Sequence, residues 1–301
     1  MTHLDTMSLD DNPPISYLDP AMSAARRAVV RTVEWATGQR KLKAVYDRFR
    51  AEGGTEAVFW SEMMRRTGIE VALNPGGLGR IPPDGPVVIV ANHPYGLVDG
   101  FALCWLVSQV RGDFRLLINA VLVQAPETRR FMLPIDFSGT KEGQATNLAS
   151  RLAARRHLEG GGAVLVFPAG GISTAPDRLG LRPAMDAPWQ PFVAQLLQRS
   201  RCPVVPVHFQ GQNSRLFQMA SHVSQTLRLA LMAGEIRRRF GACLGVTIGT
   251  PIGFHELATI TGRLALAAEL CRRTYALAGI DTTVPGTIVD LPRASQDKHK
   301  R

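Results

Sequence analysis

The sequence predicts an α/β protein whose mainly parallel central sheet is covered by helices, with a helical cap at the N-terminus. Short β-branched apolar runs such as residues 87–90 have the composition of strands that are buried on both faces of a parallel sheet. Helical patterns alternate with these runs, as they do in successive β–α units. With 301 residues, 45% of them hydrophobic, the chain is long enough to bury a sizeable core.

The N-terminal quarter of the chain is predicted to be helical and basic. Residues 1–20 are polar and contain prolines, which predicts a flexible leader. Residues 21–73 are predicted to form a helical segment, and between residues 21 and 67 eight Arg and two Lys outnumber five acidic residues. Two interpretations are open: a cap that packs on the sheet with a solvated basic face, or a segment that lies in the interface of an anionic membrane. Both depend on apolar residues at helical spacing and on aromatic residues, namely Leu42, Val45, Tyr46, Phe49, Trp35, Phe59 and Trp60.

The α/β domain is predicted to occupy residues 74–290, beginning in a Gly/Pro-rich stretch at 74–85. A basic flexible tail is predicted at residues 291–301. The predicted strands are 87–90, 115–119, 163–167, 204–209 and 244–252, and the predicted helical stretches are 101–110, 144–158, 191–199, 216–240 and 257–278.

The stretch from residue 86 to residue 100, PVVIVANHPYGLVDG, places a histidine and an aspartate after a predicted central strand. In open α/β sheets, ligands bind at the carboxyl ends of the strands. A carboxylate on one imidazole nitrogen fixes the tautomer and stabilises the imidazolium, so His93 and Asp99 are candidates for an acid–base dyad. Gly96 has no Cβ and would allow the loop between them to fold tightly. The alternative is that Asp99 only caps the next helix and that His93 is a polar residue at a strand end.

The segment ANHPYGLVDG resembles the His-to-Asp signature of the glycerolipid acyltransferases, the family of glycerol-3-phosphate and lysophosphatidic acid acyltransferases. Four residues usually separate the two side chains in that family; here five do, which resembles a bacterial branch described as hemolysin-like or ornithine-lipid-type. The resemblance covers about residues 81–251. Later blocks resemble the same branch in the same order: NAVLVQAPETRRFMLPID at 119–136, VFPAGGIS at 166–173, DAPW at 186–189 and VPVHFQGQNS at 205–214.

The resemblance implies an O-acyltransferase that moves a fatty acyl group from acyl-CoA or acyl-ACP to a hydroxyl of a lyso-lipid, in phospholipid or aminolipid biosynthesis. His93 would be the general base, and Asp99 would orient it. Direct transfer of this kind implies no acyl-enzyme, no metal and no cofactor besides the thioester co-substrate. The implied partners are the lyso-lipid acceptor, the coenzyme A or acyl carrier protein thioester, and a membrane surface with anionic lipids.

The block FPAGGIST departs from the family pattern, which reads FPEGTRS or FPxGExS and binds the acceptor's phosphate or polar head. Neither that glutamate nor the arginine is present here, so a headgroup other than glycerol phosphate is plausible and other groups must contact the acceptor. Backbone N–H groups at Gly170 and Gly171 are also the predicted donors to the oxyanion. The predicted substrate-binding residues are Asn92, Gly96, Gly170, Gly171, Ser173, Thr174, Arg178 and Arg182.

A serine hydrolase is the rival interpretation of the same region. Residues 171–175, GISTA, nearly match a nucleophile elbow, and His208 or His255 follows in the required chain order. The match fails at the fifth position of the motif. It also fails physically, because Pro176, Gly180 and Pro183 leave little room for the helix that must start after the serine. His208 lies in an apolar strand and is more simply a core histidine.

A formal net charge of +10 predicts an anionic partner, which could be a nucleic acid, a lipid surface or a phosphorylated substrate. No nucleic acid is expected, since helix-turn-helix, RNP and zinc-finger patterns are missing. The sequence shows neither a signal peptide nor an uninterrupted apolar run of about 18 residues, so a cytoplasmic protein, peripheral on the inner face of the cell membrane, is expected. Cys104, Cys202, Cys243 and Cys271 lack C-x-x-C spacing and are expected to be reduced core residues.

Overall fold

The computed structural model describes residues 39–122 and 125–283, together with residues 23, 24, 27 and 28. The predicted leader at 1–20, the predicted tail at 291–301 and Trp35 lie outside the described residues. Within the described part, the chain forms a seven-stranded sheet with helices packed on both of its faces. This architecture confirms the predicted α/β class.

The strands of the sheet are β1 (Glu70–Leu73), β2 (Val87–Ala91), β3 (Phe114–Asn119), β4 (Met132–Ile135), β5 (Ala163–Val166), β6 (Val204–Phe209) and β7 (Cys243–Ile248). Their order across the sheet is β1-β7-β6-β2-β5-β3-β4. The strands from β2 to β6 run parallel, whereas β7 pairs antiparallel with β6 and parallel with β1. The carboxyl ends of β2 to β6 therefore meet at one edge, which we call the carboxyl edge.

The helices are α1 (Gln39–Ala51), α2 (Phe59–Thr67), α3 (Leu97–Ser108), α4 (Lys141–Glu159), α5 (Pro191–Ser200), α6 (Arg215–Val223), α7 (Gln225–Arg238), α8 (Phe254–Leu257) and α9 (Arg263–Ala276). Short 3₁₀ turns occur at Glu56–Val58, Leu78–Arg80, Ala120–Leu122 and Pro126–Phe131. Among the helices in the described part of the chain, none has the combination of length and apolarity that crossing a bilayer requires.

Two hydrophobic cores lie against the two faces of the sheet, because successive side chains of a strand point to opposite faces. On β2, Val87, Ile89 and Ala91 belong to one core and Val88 and Val90 to the other, and all five are fully buried. The first core includes side chains from α1, α2 and α3, and the second includes side chains from α4, α5 and α9. The sheet thus holds β2, and the loop that follows it, at the centre of the molecule.

The helices α1 and α2 form the predicted N-terminal cap. Phe59 and Trp60 are buried, and the Trp60 ring lies 6.2 Å from the ring of Phe114 on β3. Tyr46 and Phe49 are buried in the same core. This burial favours the interpretation of α1 and α2 as a cap, and it removes Phe59 and Trp60 from any surface that could meet a membrane.

Several element boundaries differ from the predicted ones. β1 lies inside the segment predicted to be helical, because Gly68 ends α2 with φ of 65° and the four residues of the strand pair with distant β7. The predicted helical stretch at 216–240 breaks at Ser224, whose extended backbone ends α6 and whose hydroxyl accepts the N–H of Leu227 to start α7. Cys243 is exposed at the start of β7, so the prediction of a core cysteine is wrong there.

Candidate active site

The carboxyl edge brings together the loops that follow β2, β5 and β6. The side chain of Asn92, directly after β2, is buried: its Nδ2 donates to the carbonyl of Phe209 at 2.9 Å, and its Oδ1 accepts the N–H of Phe209 at 2.7 Å. Asn92 was predicted to contact substrate. In the structure its amide instead joins the ends of β2 and β6 and fixes where the next residue, His93, begins.

The predicted dyad is assembled at this edge. Nδ1 of His93 lies 3.2 Å from Oδ2 of Asp99. The same Oδ2 accepts the N–H of Tyr95 at 2.7 Å and the N–H of Gly96 at 2.9 Å, which caps the N-terminus of α3. The N-cap of α3 is Gly96, and Asp99 is the third residue of the helix, so the predicted capping role is met from inside the first turn. The oxygen that caps the helix also faces the histidine.

Gly96 allows the loop to take this shape. Its φ of 74° lies in a region that L-residues with a side chain rarely adopt. A Cβ at this position would lie 2.8 Å from Cδ1 of Ile172 and 3.0 Å from Cε of Met232. Since Ile172 follows β5 and Met232 belongs to α7, the loop of His93 is enclosed by two other parts of the chain.

The two members of the dyad differ in their access to solvent. The side chain of Asp99 is fully buried, whereas that of His93 is 18% exposed. The imidazole stacks on the ring of Phe167, with centroids 4.1 Å apart. Burial raises the pKa of Asp99, while His93 and the amides of Tyr95 and Gly96 lower it. His93 is thus partly open to solvent, and Asp99 is shielded behind it.

Asp186 is a buried centre of hydrogen bonds that the prediction of site residues missed. Its Oδ1 accepts the hydroxyl of Ser173 at 2.6 Å and the backbone N–H of His93 at 3.2 Å. Its Oδ2 accepts Nε1 of Trp189 at 2.9 Å, and its own N–H donates to the hydroxyl of Tyr275 at 2.9 Å. Burial raises the pKa of this carboxyl, and its hydrogen bonds lower it. The block DAPW at 186–189 was one of the motifs recognised in the sequence, but nothing in the sequence indicates that Asp186 contacts His93.

Ser173 and Thr174 shape the loop after β5 from inside. Ser173 is buried, and its N–H donates to the carbonyl of His93 at 2.9 Å. Thr174 exchanges two backbone hydrogen bonds with Met185, and its hydroxyl donates to the carbonyl of Ile172 at 3.2 Å. Ser173 therefore lies next to the predicted dyad, but its hydroxyl already donates a hydrogen bond to Asp186.

Gly170 and Gly171 lie at the surface of the same loop, and both are exposed. The N–H of Gly170 donates to the carbonyl of Phe167 at 3.0 Å, so it already has a partner. No hydrogen bond joins the N–H of Gly171 to another residue in the part of the chain that the structure describes. Of the two predicted oxyanion donors, Gly171 is the one with a free N–H.

The nucleophile elbow of the rival interpretation is not formed. The hydroxyl of Ser173 donates to Asp186 rather than to a histidine, and the next helix, α5, begins only at Pro191. His208 packs edge-on against the ring of Tyr275, and burial lowers its pKa to about 4, so it is a neutral core side chain. His255 is exposed on α8.

Arg178 and Arg182 lie on the loop at residues 177–182, and both are exposed. The carboxylate of Asp177 accepts the N–H of Leu181 at 2.8 Å and that of Arg182 at 2.7 Å, which folds this loop back on itself. Neither arginine is drawn into the site by an ion pair with a described residue.

A different arginine reaches the site loop from inside the protein. Arg228, on α7, donates from Nη2 to the carbonyl of Ile172 at 2.5 Å, and its guanidinium lies over the ring of Phe217. Arg228 is buried, and burial lowers its pKa to about 10. No carboxylate among the described residues pairs with it. Arg228 lies one turn before Met232 on α7, and no pattern in the sequence around it indicates that it contacts Ile172.

Comparison with known proteins identifies the family. A family model described as an acyltransferase matches residues 54–280. This chain belongs to that acyltransferase family. The match contains every residue of the predicted site and extends beyond residues 81–251, where the motifs were recognised, so the resemblance stated from the sequence is confirmed.

Two relatives of this acyltransferase-family chain carry the same name. The lyso-glycine lipid O-acyltransferase of Phocaeicola vulgatus is 28% identical over 185 residues, which cover 58% of this chain and 62% of that protein. The lyso-glycine lipid O-acyltransferase of Bacteroides thetaiotaomicron is 28% identical over 184 residues, which cover 58% of this chain and 64% of that protein. The matches thus span less than two thirds of the length of either relative.

A solved structure, the 1-acyl-sn-glycerophosphate (LPA) acyltransferase PlsC from Thermotoga maritima, covers 84% of this chain and 88% of its own. It superposes with a TM-score of 0.45 at 15% sequence identity.

An apolar cavity of about 120 Å³ lies behind the dyad of this acyltransferase-family chain. Val98 and Gly100, the neighbours of Asp99, are part of its wall, and most of the remaining wall comes from α1, α2, β3, α7 and the turns before β4. Phe59, Trp60 and Phe101 contribute aromatic surface. Among the described residues, no charged side chain lines the cavity. In the same part of the chain, no three His, Cys, Asp or Glu side chains converge as metal ligands.

Proposed function

We propose that this protein is an O-acyltransferase that moves a fatty acyl group from an acyl thioester to a hydroxyl of a lyso-lipid. The observation that carries the proposal is the contact between His93 and buried Asp99 at the carboxyl edge, in a chain that belongs to an acyltransferase family. The names of both relatives support an amino-acid-linked lyso-lipid as the class of acceptor. Coenzyme A or acyl carrier protein would carry the donor acyl group.

In the proposed reaction, the imidazole nitrogen of His93 that does not face Asp99 takes the proton of the acceptor hydroxyl. The acceptor oxygen attacks the thioester carbonyl carbon, and Asp99 stabilises the imidazolium that forms. The tetrahedral intermediate carries an oxyanion, for which the N–H of Gly171 is the candidate donor. The carbon–sulfur bond then breaks, and the thiolate takes the proton back from His93. No covalent acyl-enzyme is needed in this sequence.

The apolar cavity behind the dyad supports a place for the acyl chain. Its walls are hydrophobic, and burying a CH₂ group there is worth about 0.8 kcal/mol. Because Val98 and Gly100 flank Asp99, a chain in the cavity would have its thioester end near the dyad. The N-terminal cap would then have a catalytic function, since α1 and α2 provide much of the wall.

Arg228 supports a place for the acceptor headgroup. A buried cation without an acidic partner is costly, and a bound carboxylate or phosphate would offset that cost. The guanidinium already contacts the carbonyl of Ile172, next to Ser173 and within the loop that encloses Gly96. We therefore assign to Arg228 the contact with the acceptor's anionic group that the FPAGGIST block cannot make.

The proposed place of action is the inner face of the cell membrane, with the protein bound peripherally to anionic lipids. The formal net charge of +10 supports attraction to such a surface.

The test is acyl transfer by purified His93→Ala, measured as labelled product on thin-layer plates with acyl-CoA or acyl-ACP as donor. Loss of a general base should lower the rate about 10²- to 10⁴-fold. The control is His255→Ala, because His255 is an exposed histidine outside the dyad and the rival hydrolase base. Near-normal transfer by His93→Ala, or an equal loss in the control, would contradict the assignment. Free fatty acid instead of acylated lipid would favour a hydrolase.

A further inference from the structure

Helix α6 and the loop at residues 177–182 expose a set of large apolar side chains. Val223, Leu216 and Met219 lie on α6, and Leu179 and Leu181 lie on the loop; their exposures range from 40% to 79%. Monomeric proteins seldom leave several such side chains together in water without a function. We call these five residues, with the exposed arginines beside them, the α6–loop surface.

The helix and the loop form one continuous surface. Gly180 packs so closely on α6 that a Cβ there would lie 2.8 Å from Cβ of Gln218 and 3.4 Å from the carbonyl of Arg215. The N–H of Ala175 donates to Oε1 of Gln218 at 2.9 Å, and Nε2 of His222 lies 2.9 Å from the carbonyl of Ala175. These contacts hold the loop against the helix from both sides.

The outer face of α6 has the spacing of a helix that meets an apolar phase. Leu216, Met219 and Val223 recur at i, i+3 and i+7, which places them on one side of the helix. Phe217 and Ala220, by contrast, are buried in the protein. The helix is therefore apolar on the face that packs and also on the face that is left open.

The charges on the α6–loop surface are positive. Arg178, Arg182 and Arg215 are exposed there. The one carboxylate of the loop, that of Asp177, accepts backbone N–H groups of Leu181 and Arg182 and so serves the loop's own fold. Apolar side chains with interspersed arginines fit the interface of an anionic bilayer, because the side chains enter the acyl boundary while the guanidinium groups meet phosphates.

The α6–loop surface lies at the edge that carries the dyad. The loop follows β5 and α6 follows β6, and both strands end at the carboxyl edge, as β2 does. The loop begins four residues after Ser173, whose N–H is bonded to the carbonyl of His93. A membrane under this surface would therefore face the site where a lyso-lipid must enter.

We propose that the α6–loop surface is where this protein docks on an anionic phospholipid bilayer. The proposal rests on the proposed function, which requires access to lipid, and it adds which face of the protein provides that access. It assigns the docking to α6 and the loop rather than to α1 and α2, because Phe59 and Trp60 of the cap are buried.

The first test is flotation of the full chain with phosphatidylcholine vesicles, with and without phosphatidylglycerol. Leu179→Ser/Leu181→Ser and Met219→Ser/Val223→Ser should each weaken binding to the anionic vesicles about tenfold or more. Arg178→Gln/Arg182→Gln should weaken it about 25-fold, at about fivefold for each arginine, and should reduce its salt dependence. The matched control is Leu148→Ser/Leu152→Ser, since these leucines of α4 are also exposed. Unchanged binding by the α6–loop variants, or equal loss in the control, would overturn the proposal.

The second test separates docking from catalysis. With a short-chain, monomeric lyso-lipid and a short acyl-CoA, the Leu179→Ser/Leu181→Ser and Met219→Ser/Val223→Ser variants should keep wild-type rates. With the same acceptor type embedded in anionic vesicles, they should lose activity in proportion to lost binding. Equal loss on both substrates would contradict a docking role. Vesicle binding through this surface by a wild-type protein that transfers no acyl group would refute the proposed function and leave the docking surface standing.

Discussion

Asp99→Asn should separate the two tasks that one carboxylate oxygen performs. In the structure, Oδ2 of Asp99 accepts the N–H groups of Tyr95 and Gly96 and also faces Nδ1 of His93. The amide oxygen of asparagine accepts hydrogen bonds as a carboxylate oxygen does, so it can keep both backbone hydrogen bonds. The variant should fold, and the charge opposite His93 should be gone.

The expected loss of activity follows from the geometry. Nδ1 and Oδ2 are 3.2 Å apart, and opposite unit charges at that separation attract by about 5 kcal/mol at an effective dielectric constant of about 20. A neutral amide retains part of this attraction, so we expect kcat/KM to fall about 10²- to 10⁴-fold through kcat. The free energy of unfolding should fall by only about 1 kcal/mol, since the cap remains.

Asp99→Ala is the matched comparison, because it removes the cap as well as the charge. Two buried N–H groups would lose their acceptor, which should lower the free energy of unfolding by about 2–5 kcal/mol. The measurements are steady-state acyl transfer and denaturant unfolding for both variants. If Asp99→Asn keeps more than about a tenth of wild-type kcat/KM, Asp99 is only a helix cap and the dyad mechanism is refuted.

Three further outcomes are expected. Ser173→Ala should keep substantial activity and lower the free energy of unfolding by about 1–3 kcal/mol, because Asp186 loses one hydrogen-bond donor. A collapse in its rate, together with an acyl adduct on wild-type Ser173 in mass spectra, would favour the serine hydrolase interpretation instead. Burial lowers the pKa of His208 from 6.5 to about 4. Between these two pH values the unfolded state binds more protons at His208 than the folded state does. The free energy of unfolding should therefore fall by up to about 3 kcal/mol as the pH drops from 6.5 to about 4. In denaturant unfolding over this pH range, the free energy of unfolding of His208→Gln should fall less than that of the wild type. If both fall equally with pH, the lowered pKa of His208 is contradicted. Gly100 lines the apolar cavity, so Gly100→Leu should fill part of it and shift the preference of the enzyme toward shorter acyl donors. Gly100→Ala should not cause this shift, because its Cβ would meet only Leu116 at 3.9 Å. An unchanged preference for acyl-chain length in Gly100→Leu would argue against the cavity as the acyl site.

The sequence by itself determined the elements whose signals are local. The β-branched run at 87–90 forms the central strand β2, and the predicted strands at 163–167 and 204–209 are its two neighbours. A continuous apolar run predicts such strands, because the inner strands of a parallel sheet are buried on both faces. The same locality placed His93 at a strand end and explained Gly96, since turn chemistry acts over a few residues.

Other features of the site were decided by the tertiary structure alone. Asp186 contacts His93 and Ser173 although it is distant from both in sequence, and Arg228 reaches Ile172 from a helix that the sequence joined to α6. The pairing of β1 with β7 likewise joins two strands that are far apart in the sequence. Periodicity reports which face of an element is apolar, whereas the partner of a buried polar atom depends on how elements pack. For that reason, the sequence located the candidate histidine, and the packing of distant elements determined which groups hold it in place.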